Sequence, residues 1–436
     1  MKSRLAVAAV LAAMVGAVSA ASSSAAASLV PTAVLDWNQV AVTTVRSATP
    51  PKFQPEGLVY MSYVQAAVYD AVTKIEGRYV PYHDFAIDPS VVARASSEAA
   101  VAAAAYTTLA YYFPAQANAL TATYNSYLAG LPDEGKEGGI AVGEAAAGDL
   151  VDFRSTDGRN GPFDPSLGLG TLEPGVWQVV PPATSAQTPW LANMTPFVLE
   201  SSSRFRADPP PALSSSEYAE QVNETKAYGA LNGSLRSPEQ TAVAYFWNAN
   251  VINQYNQAFR DLATEHDLDL VDAARAIAMG NLVGSDALIA CFESKYRYLF
   301  WRPFTAIRNA DIDGNPATDR DPTWLPLVNT PNHPEYPSAH GCATGAVAEV
   351  FSAVLGTNRI DVKLWGATNG GTTLTTSRRF EQVNDLDREI VDARVWIGFH
   401  YRGSVVAGVA LGRKIAKYDL RRAFQRRSAF QRWQAS

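Results

Sequence analysis

The chain has 436 residues, 47% of them hydrophobic and 18% charged, and its 36 Lys and Arg against 42 Asp and Glu leave a formal charge of −6. That balance excludes a largely disordered chain, and the absence of a basic block excludes a protein that coats nucleic acid. Two cysteines and five histidines exclude a disulfide scaffold, a Cys-rich zinc module and a large multi-histidine metal centre.

Residues 1–20 read as an export signal: Lys2 and Arg4 precede an apolar, Ala-rich run from Leu5 to Val15, and Val18-Ser19-Ala20 fits a small-residue cleavage site. A short membrane anchor is the alternative, but the run is too short for about 30 Å of hydrocarbon. Cleavage near Ala20 would release a secreted protein, extracellular or periplasmic. Residues 21–34 form a Ser/Ala-rich low-complexity segment. Apolar residues at three- and four-residue spacings then predict helices over Leu58–Ile75, Arg94–Phe113, Gln116–Leu131 and Ile140–Phe153. Periodicity stops between Arg154 and Phe197, where Gly, Pro and Trp accumulate; so apolar a loop is expected to wrap a neighbouring surface. Helical patterning resumes over Ser215–Leu231, Pro238–Leu262, Leu268–Trp301, Ser338–Leu355, Asp385–Ile397 and Ser404–Phe424. The reading is a large all-α protein built of helical bundles, with an N-terminal half over 35–200 and a C-terminal half over 201–436. After the N-terminal signal, no segment has about 18 consecutive uncharged apolar residues, so no membrane span is expected. The oligomeric state is not fixed by the sequence.

Three short stretches concentrate reactive side chains. In KYRYLFWRP, Lys295 and Arg302 stand seven apart. On a continuous helix that is nearly two turns, which puts both cations on one face, either for a shared anion or as a solvated stripe with snorkelling stems. In HPEYPSAHGCATG, Ser338 is a natural N-cap, so Ala339 and His340 open a helix whose free N–H groups attract anions. The alternative is a capping serine beside an incidental histidine. In ARVWIGFHYRGS, Arg394 and His400 are six apart, about 120° off a common helix face, and can meet one ligand only if the helix breaks, Gly398 being the expected break. Otherwise Arg394 is a surface residue and His400 a satisfied core histidine. His333, His340 and His400 are three of the five histidines, and Lys295, Arg302 and Arg394 supply three positive charges. Together they suit a tetrahedral oxyanion, with Arg as a planar fork and Lys as a point charge.

The order Lys–x6–Arg–Pro, then Pro–Ser–Gly–His, then Ser–Arg–x5–His–x3–Asp resembles the signature of the superfamily of type 2 phosphatidic acid phosphatases and vanadium-dependent haloperoxidases. Here it reads Lys295/Arg302/Pro303, Pro337/Ser338/Ala339/His340 and Ala393/Arg394/His400. The similarity is greatest to the secreted bacterial haloperoxidase-like branch. It implies two four-helix bundles with the site in the C-terminal one. It further implies that Lys295, Arg302, Ser338, Ala339 through its N–H, and Arg394 hold the oxygens of vanadate, with phosphate able to occupy the same site. His400 would be the axial vanadium ligand or the nucleophile on phosphorus, and His340 the acid/base group. His333 stands where algal bromoperoxidases of the family carry an extra histidine. The pattern departs from the family at Ala339 for Gly, Ala393 for Ser, and Ser404 for Asp. The last removes the usual carboxylate near His400, which leaves the site either weakened or served by another acid.

The resemblance implies a haloperoxidase that takes hydrogen peroxide, a halide and an organic acceptor. The alternatives are a soluble secreted acid phosphatase, which would take a phosphoester through a phosphohistidine at His400, and a weakened anion-binding relative. No nucleic-acid partner is expected. Cys291 and Cys342 flank Lys295 and His340, and in an exported protein they are expected to form a disulfide.

Overall fold

The structure is a computed structural model that describes residues 30–371 and 373–428. The export signal and most of the low-complexity segment lie outside the described residues. The N-terminal half carries α1 (Thr32–Arg46), α2 (Gln54–Glu76), a single turn α3 (Pro89–Val92), α4 (Ser97–Tyr112), α5 (Ala117–Ala129) and α6 (Lys136–Phe153). After a long connection come α7 (Ser216–Gly229), α8 (Pro238–Phe246), α9 (Val251–Glu265), α10 (Leu270–Tyr298) and the short α11 (Pro303–Arg308). Then follow α12 (Ala339–Leu355), strands β1 (Arg359–Gly366) and β2 (Thr376–Gln382), α13 (Val383–Trp396) and α14 (Arg402–Arg422). Among the described residues the all-α reading holds apart from one antiparallel hairpin, in which Val362 pairs with Phe380 and Leu364 with Arg378. Helix α1 and this hairpin are elements the periodicity did not single out.

Helix α10 is the wall shared by both halves. It packs against α2 on one side and against α12 and α14 on the other. Asp269 caps its start by accepting the Asp272 N–H, satisfying one of the orphan donors of a helix N-terminus. By length and composition α10 would suffice to cross a membrane, yet 94% of its apolar window is buried inside the protein, as expected of a core helix.

Two predicted helices end differently. The span 238–262 is two helices, α8 and α9, separated at 247–250, where Asn250 caps α9 by accepting the Ile252 N–H. The span 268–301 stops at Tyr298, because Leu299 turns into the left-handed region with φ +49°. The connection over 154–197 wraps as expected. Trp177 donates to Leu299 O at 2.6 Å, Trp301 to Gly175 O at 3.0 Å, and Gln187 to Asn332 O at 2.7 Å. Its far end is fastened by the buried Asp286 carboxylate, which accepts the N–H groups of Phe197, Val198 and Leu199 at 2.5, 2.7 and 2.8 Å.

Helices α12 and α14 meet backbone to backbone along four glycines. A Cβ at Gly341 would stand 2.7 Å from Val405 O and one at Gly408 2.5 Å from Ser338 O, while one at Gly345 or Gly412 would press into Val409 O or Cys342 O. Backbone cannot yield as a flexible side chain can. Gly412→Val is therefore expected to destabilise the protein by at least the roughly 1–3 kcal/mol of ordinary overpacking. Urea unfolding followed by circular dichroism checks this, a wild-type midpoint being the contrary result.

Candidate functional site

The site forms where segments distant in the sequence converge on a cavity of about 60 Å³, room for a few water molecules or one small oxyanion with a co-substrate. The start of α12 supplies Ala339 and His340. Ser338 caps this helix, accepting the Gly341 N–H at 3.3 Å, and the first N–H groups of a helix have no intrahelical partner. The segment after α13 supplies Phe399 and His400. The helix ends at Trp396 and Gly398 reverses the chain at φ +81°. The N–H groups of Phe399 and His400 both turn back to Arg394 O at 3.3 Å. A side chain at 398 would meet Gly229 O and Pro326. The break expected at Gly398 thus brings Arg394 and His400 to one cavity.

Lys295 and Arg302 also converge, but not through a shared helix face. Arg302 lies beyond the end of α10, as the cap of α11, and the left-handed turn at Leu299 sends it back toward the site. Both are fully buried. Lys295 Nζ donates to Pro334 O and Glu335 O at 2.8 and 2.9 Å. Arg302 Nε donates to His333 O at 2.9 Å and Nη1 to Phe399 O at 3.0 Å. The cavity wall itself holds His333, Ala339, His340, Arg394 and His400; Lys295, Arg302 and Ser338 form the layer behind it. Arg394 Nη1 donates to Trp247 O at 3.1 Å, a carbonyl freed by the break between α8 and α9, and its guanidinium sits 4.9 Å from the Phe399 ring.

Burial pulls the cations down: Lys295 to about 8, Arg302 to about 10 and Arg394 to about 9. The two guanidinium groups keep their charge at neutral pH. Burial and the adjacent cations hold His333, His340 and His400 well below the usual histidine range, so all three rings are neutral there. Two buried polar atoms of the wall, Arg394 Nε and His340 Nε2, have no hydrogen-bond partner in the protein. A buried donor on a cation is costly to leave unpaired, which makes these atoms the natural contacts of a bound anion. Arg394 and His340 with the start of α12 on the wall, and Lys295 and Arg302 behind it, thus fit a tetrahedral oxyanion carrying about two negative charges.

One residue of the site had no role assigned from the sequence. Glu335 is fully buried, and its Oε1 lies 2.8 Å from His400 Nδ1 and accepts the Tyr401 N–H at 3.1 Å. Burial raises its carboxyl to about 7, against the pull of Lys295 and Arg302. Ser404 is buried beside it, its Oγ 3.5 Å from Glu335 O. Of the two outcomes left open by Ser404, the structure has the second: another acid stands at His400. A lone glutamate inside HPEYPSAHG was the visible signal.

His333 packs between Phe53 and Phe292, with ring centroids at 5.7 and 5.1 Å, and its Nδ1 is 3.0 Å from Arg302 Nη2. The expected disulfide is absent. Cys291 and Cys342 are buried free thiols. Cys291 Sγ is directed at Pro337 O at 3.6 Å, and burial with the neighbouring Cys291 thiol pushes Cys342 up. In this apolar layer they pack as small hydrophobes.

Residues 275–428 match the family model of the VCPO second helical-bundle domain. The vanadium chloroperoxidase of Curvularia inaequalis is 33% identical over a stretch covering 39% of this chain, and the chain covers 32%, about a third, of that relative's length. Among solved structures, the first bacterial vanadium-dependent iodoperoxidase aligns with a TM-score of 0.75 at 21% identity, covering 91% of this chain and 97% of its own. A holo-type bacterial vanadium-dependent chloroperoxidase aligns with a TM-score of 0.67 at 19% identity, covering 84% and 91%. Residues 275–428 are thus similar to the second helical-bundle domain of that family model, and the chain shares the fold of the bacterial vanadium-dependent peroxidases.

Proposed function

We propose that this protein is a vanadate-dependent haloperoxidase that oxidises halide with hydrogen peroxide. The observation that carries the reading is the charge balance of the buried site. Lys295 and Arg302 stand close to the buried carboxyl of Glu335, Arg394 adds a third buried cation, and both Arg394 Nε and His340 Nε2 are left unpaired at the cavity. Arg394, the N–H groups at the start of α12 and, from behind, Lys295 and Arg302 would hold the oxygens of vanadate, and His400 Nε2 would be its protein ligand. When bound, the metal supplies Lewis-acid activation of peroxide toward halide without changing oxidation state.

The chain's own residues do the rest. His340, neutral and with Nε2 free, takes the proton released when hydrogen peroxide enters the cavity and returns it to the departing oxygen. The helix start orients the anion, since its N–H groups point along the axis into the cavity. Phe53, Val251, Leu288 and Phe399 line the same cavity and limit the water that competes with halide. The relatives, a vanadium chloroperoxidase and bacterial vanadium-dependent iodo- and chloroperoxidases, support peroxidase over phosphatase chemistry.

The test is a dye-bromination assay with peroxide and bromide, run with and without orthovanadate, beside p-nitrophenyl phosphate hydrolysis. Bromination that requires orthovanadate and is suppressed by inorganic phosphate is expected. Hydrolysis of the phosphoester with no bromination would overturn the reading in favour of a phosphatase.

A further inference from the structure

We propose that Glu335 is the positioning residue of His400: it fixes which ring nitrogen faces the cavity as a lone pair, and Ser404 is the small side chain that makes room for it. The inference rests on the reading of His400 as the protein ligand of the oxyanion.

The argument is one of donors and acceptors. A guanidinium has only donors, and Arg302 Nη1 stands 3.2 Å from His400 Nε2. In a neutral imidazole that makes Nε2 the acceptor, so the ring hydrogen sits on Nδ1. Nδ1 in turn meets Glu335 Oε1 at 2.8 Å. The same Oε1 accepts the Tyr401 N–H at 3.1 Å, so the oxygen cannot rotate away without abandoning the residue next to His400. The backbone of Glu335 is pinned as well: its N–H donates to Phe300 O at 2.8 Å, and its carbonyl accepts from Lys295 at 2.9 Å. Position and direction of the carboxylate are thus set from three elements, while Nε2 is kept free of hydrogen on the cavity side. A bond from the second ring nitrogen to a carboxylate both orients a ligating imidazole and strengthens it as a donor.

Ser404, in the first turn of α14, completes the arrangement. It is buried, its Oγ is 3.5 Å from Glu335 O and its own carbonyl accepts the Ser338 N–H at 3.0 Å. An acid at 404 would bring a second carboxylate to a buried one, and like charges at a shared buried site oppose each other's ionisation. Ser404→Asp alone is therefore expected to weaken the site, whereas in a chain lacking Glu335 it restores a carboxylate from the other side.

The experiment uses the full chain labelled with 15N-histidine, without added anion, and calorimetric titration of orthovanadate and of inorganic phosphate. In wild type the long-range 1H–15N pattern of His400, assigned with His400→Gln, is expected to report hydrogen on Nδ1. In Glu335→Ala that pattern should shift toward Nε2, and orthovanadate affinity should fall about 10–100-fold. Phosphate, which takes no bond from the ring in its ground state, should lose less. Adding Ser404→Asp to Glu335→Ala should recover most of the orthovanadate affinity. If Glu335→Ala does not fold, Glu335→Gln decides: its amide oxygen keeps the Nδ1 hydrogen bond without the charge, so an intermediate loss for orthovanadate is expected and an unchanged affinity overturns the proposal. An unchanged tautomer and unchanged affinities in folded Glu335→Ala also overturn it. A tautomer that shifts in a protein whose wild type binds no orthovanadate keeps the positioning role and removes the haloperoxidase reading instead.

Discussion

His400→Ala is expected to lose orthovanadate affinity by more than the roughly 10–100-fold that removal of a ligand's supporting partner costs, and to lose halide oxidation with it. The ring is fully buried and held neutral by burial and by Arg302, Lys295 and Arg394, so its removal takes a donor from the cavity but no charge. Phosphate binding, which rests on the cations, should survive. Calorimetry with both anions, alongside elemental analysis for vanadium after gel filtration, checks the result. Equal loss of both anions would mean that His400 supports the cavity rather than serving as the donor to vanadium.

His340→Ala should show the opposite split. Orthovanadate affinity is expected to stay near wild type, while kcat falls by about 10²–10⁴, the usual contribution of a positioned acid/base group. His340 is neutral at working pH because burial, then Arg394, Arg302 and Lys295, oppose its protonation. Its Nε2 has no partner in the protein, so neither a charge nor a structural hydrogen bond is lost. A matching loss of vanadium in His340→Ala and His400→Ala would refute this division of labour.

The contrast between Gly398 and Glu335 separates what was legible along the chain from what was not. Gly398 interrupts a helical pattern between an arginine and a histidine, and local backbone rules alone require a break if the two are to meet. The start of α12 was legible for the same reason, since capping by Ser338 is a local event. Glu335 gains its meaning from His400, 65 residues away, and no local rule links them. The convergence of Lys295 and Arg302 was expected on the wrong ground, a shared helix face. A residue without a glycine's freedom, Leu299, takes the left-handed turn that achieves it, and nothing in its side chain advertises that. The β1–β2 hairpin did have a signal, the alternation of buried Ile360, Val362 and Leu364, which a search for helical spacing passes over. The cysteines were correctly brought to one layer, but proximity and an oxidising destination do not determine whether two thiols join.

The four glycines between α12 and α14 have a consequence for mutational tolerance. α12 opens with His340 and α14 begins two residues after His400, so the seam sets how far apart the two rings stand. In a saturation screen scored by activity, Gly341, Gly345, Gly408 and Gly412 are expected to rank beside His340 and His400 in intolerance, although they carry no reactive group. Their rhythm gives them away: two pairs, each four residues apart, on facing helices. A second screen scored by soluble yield separates the classes, because variants at the glycines should disappear from both scores and variants at the histidines from one.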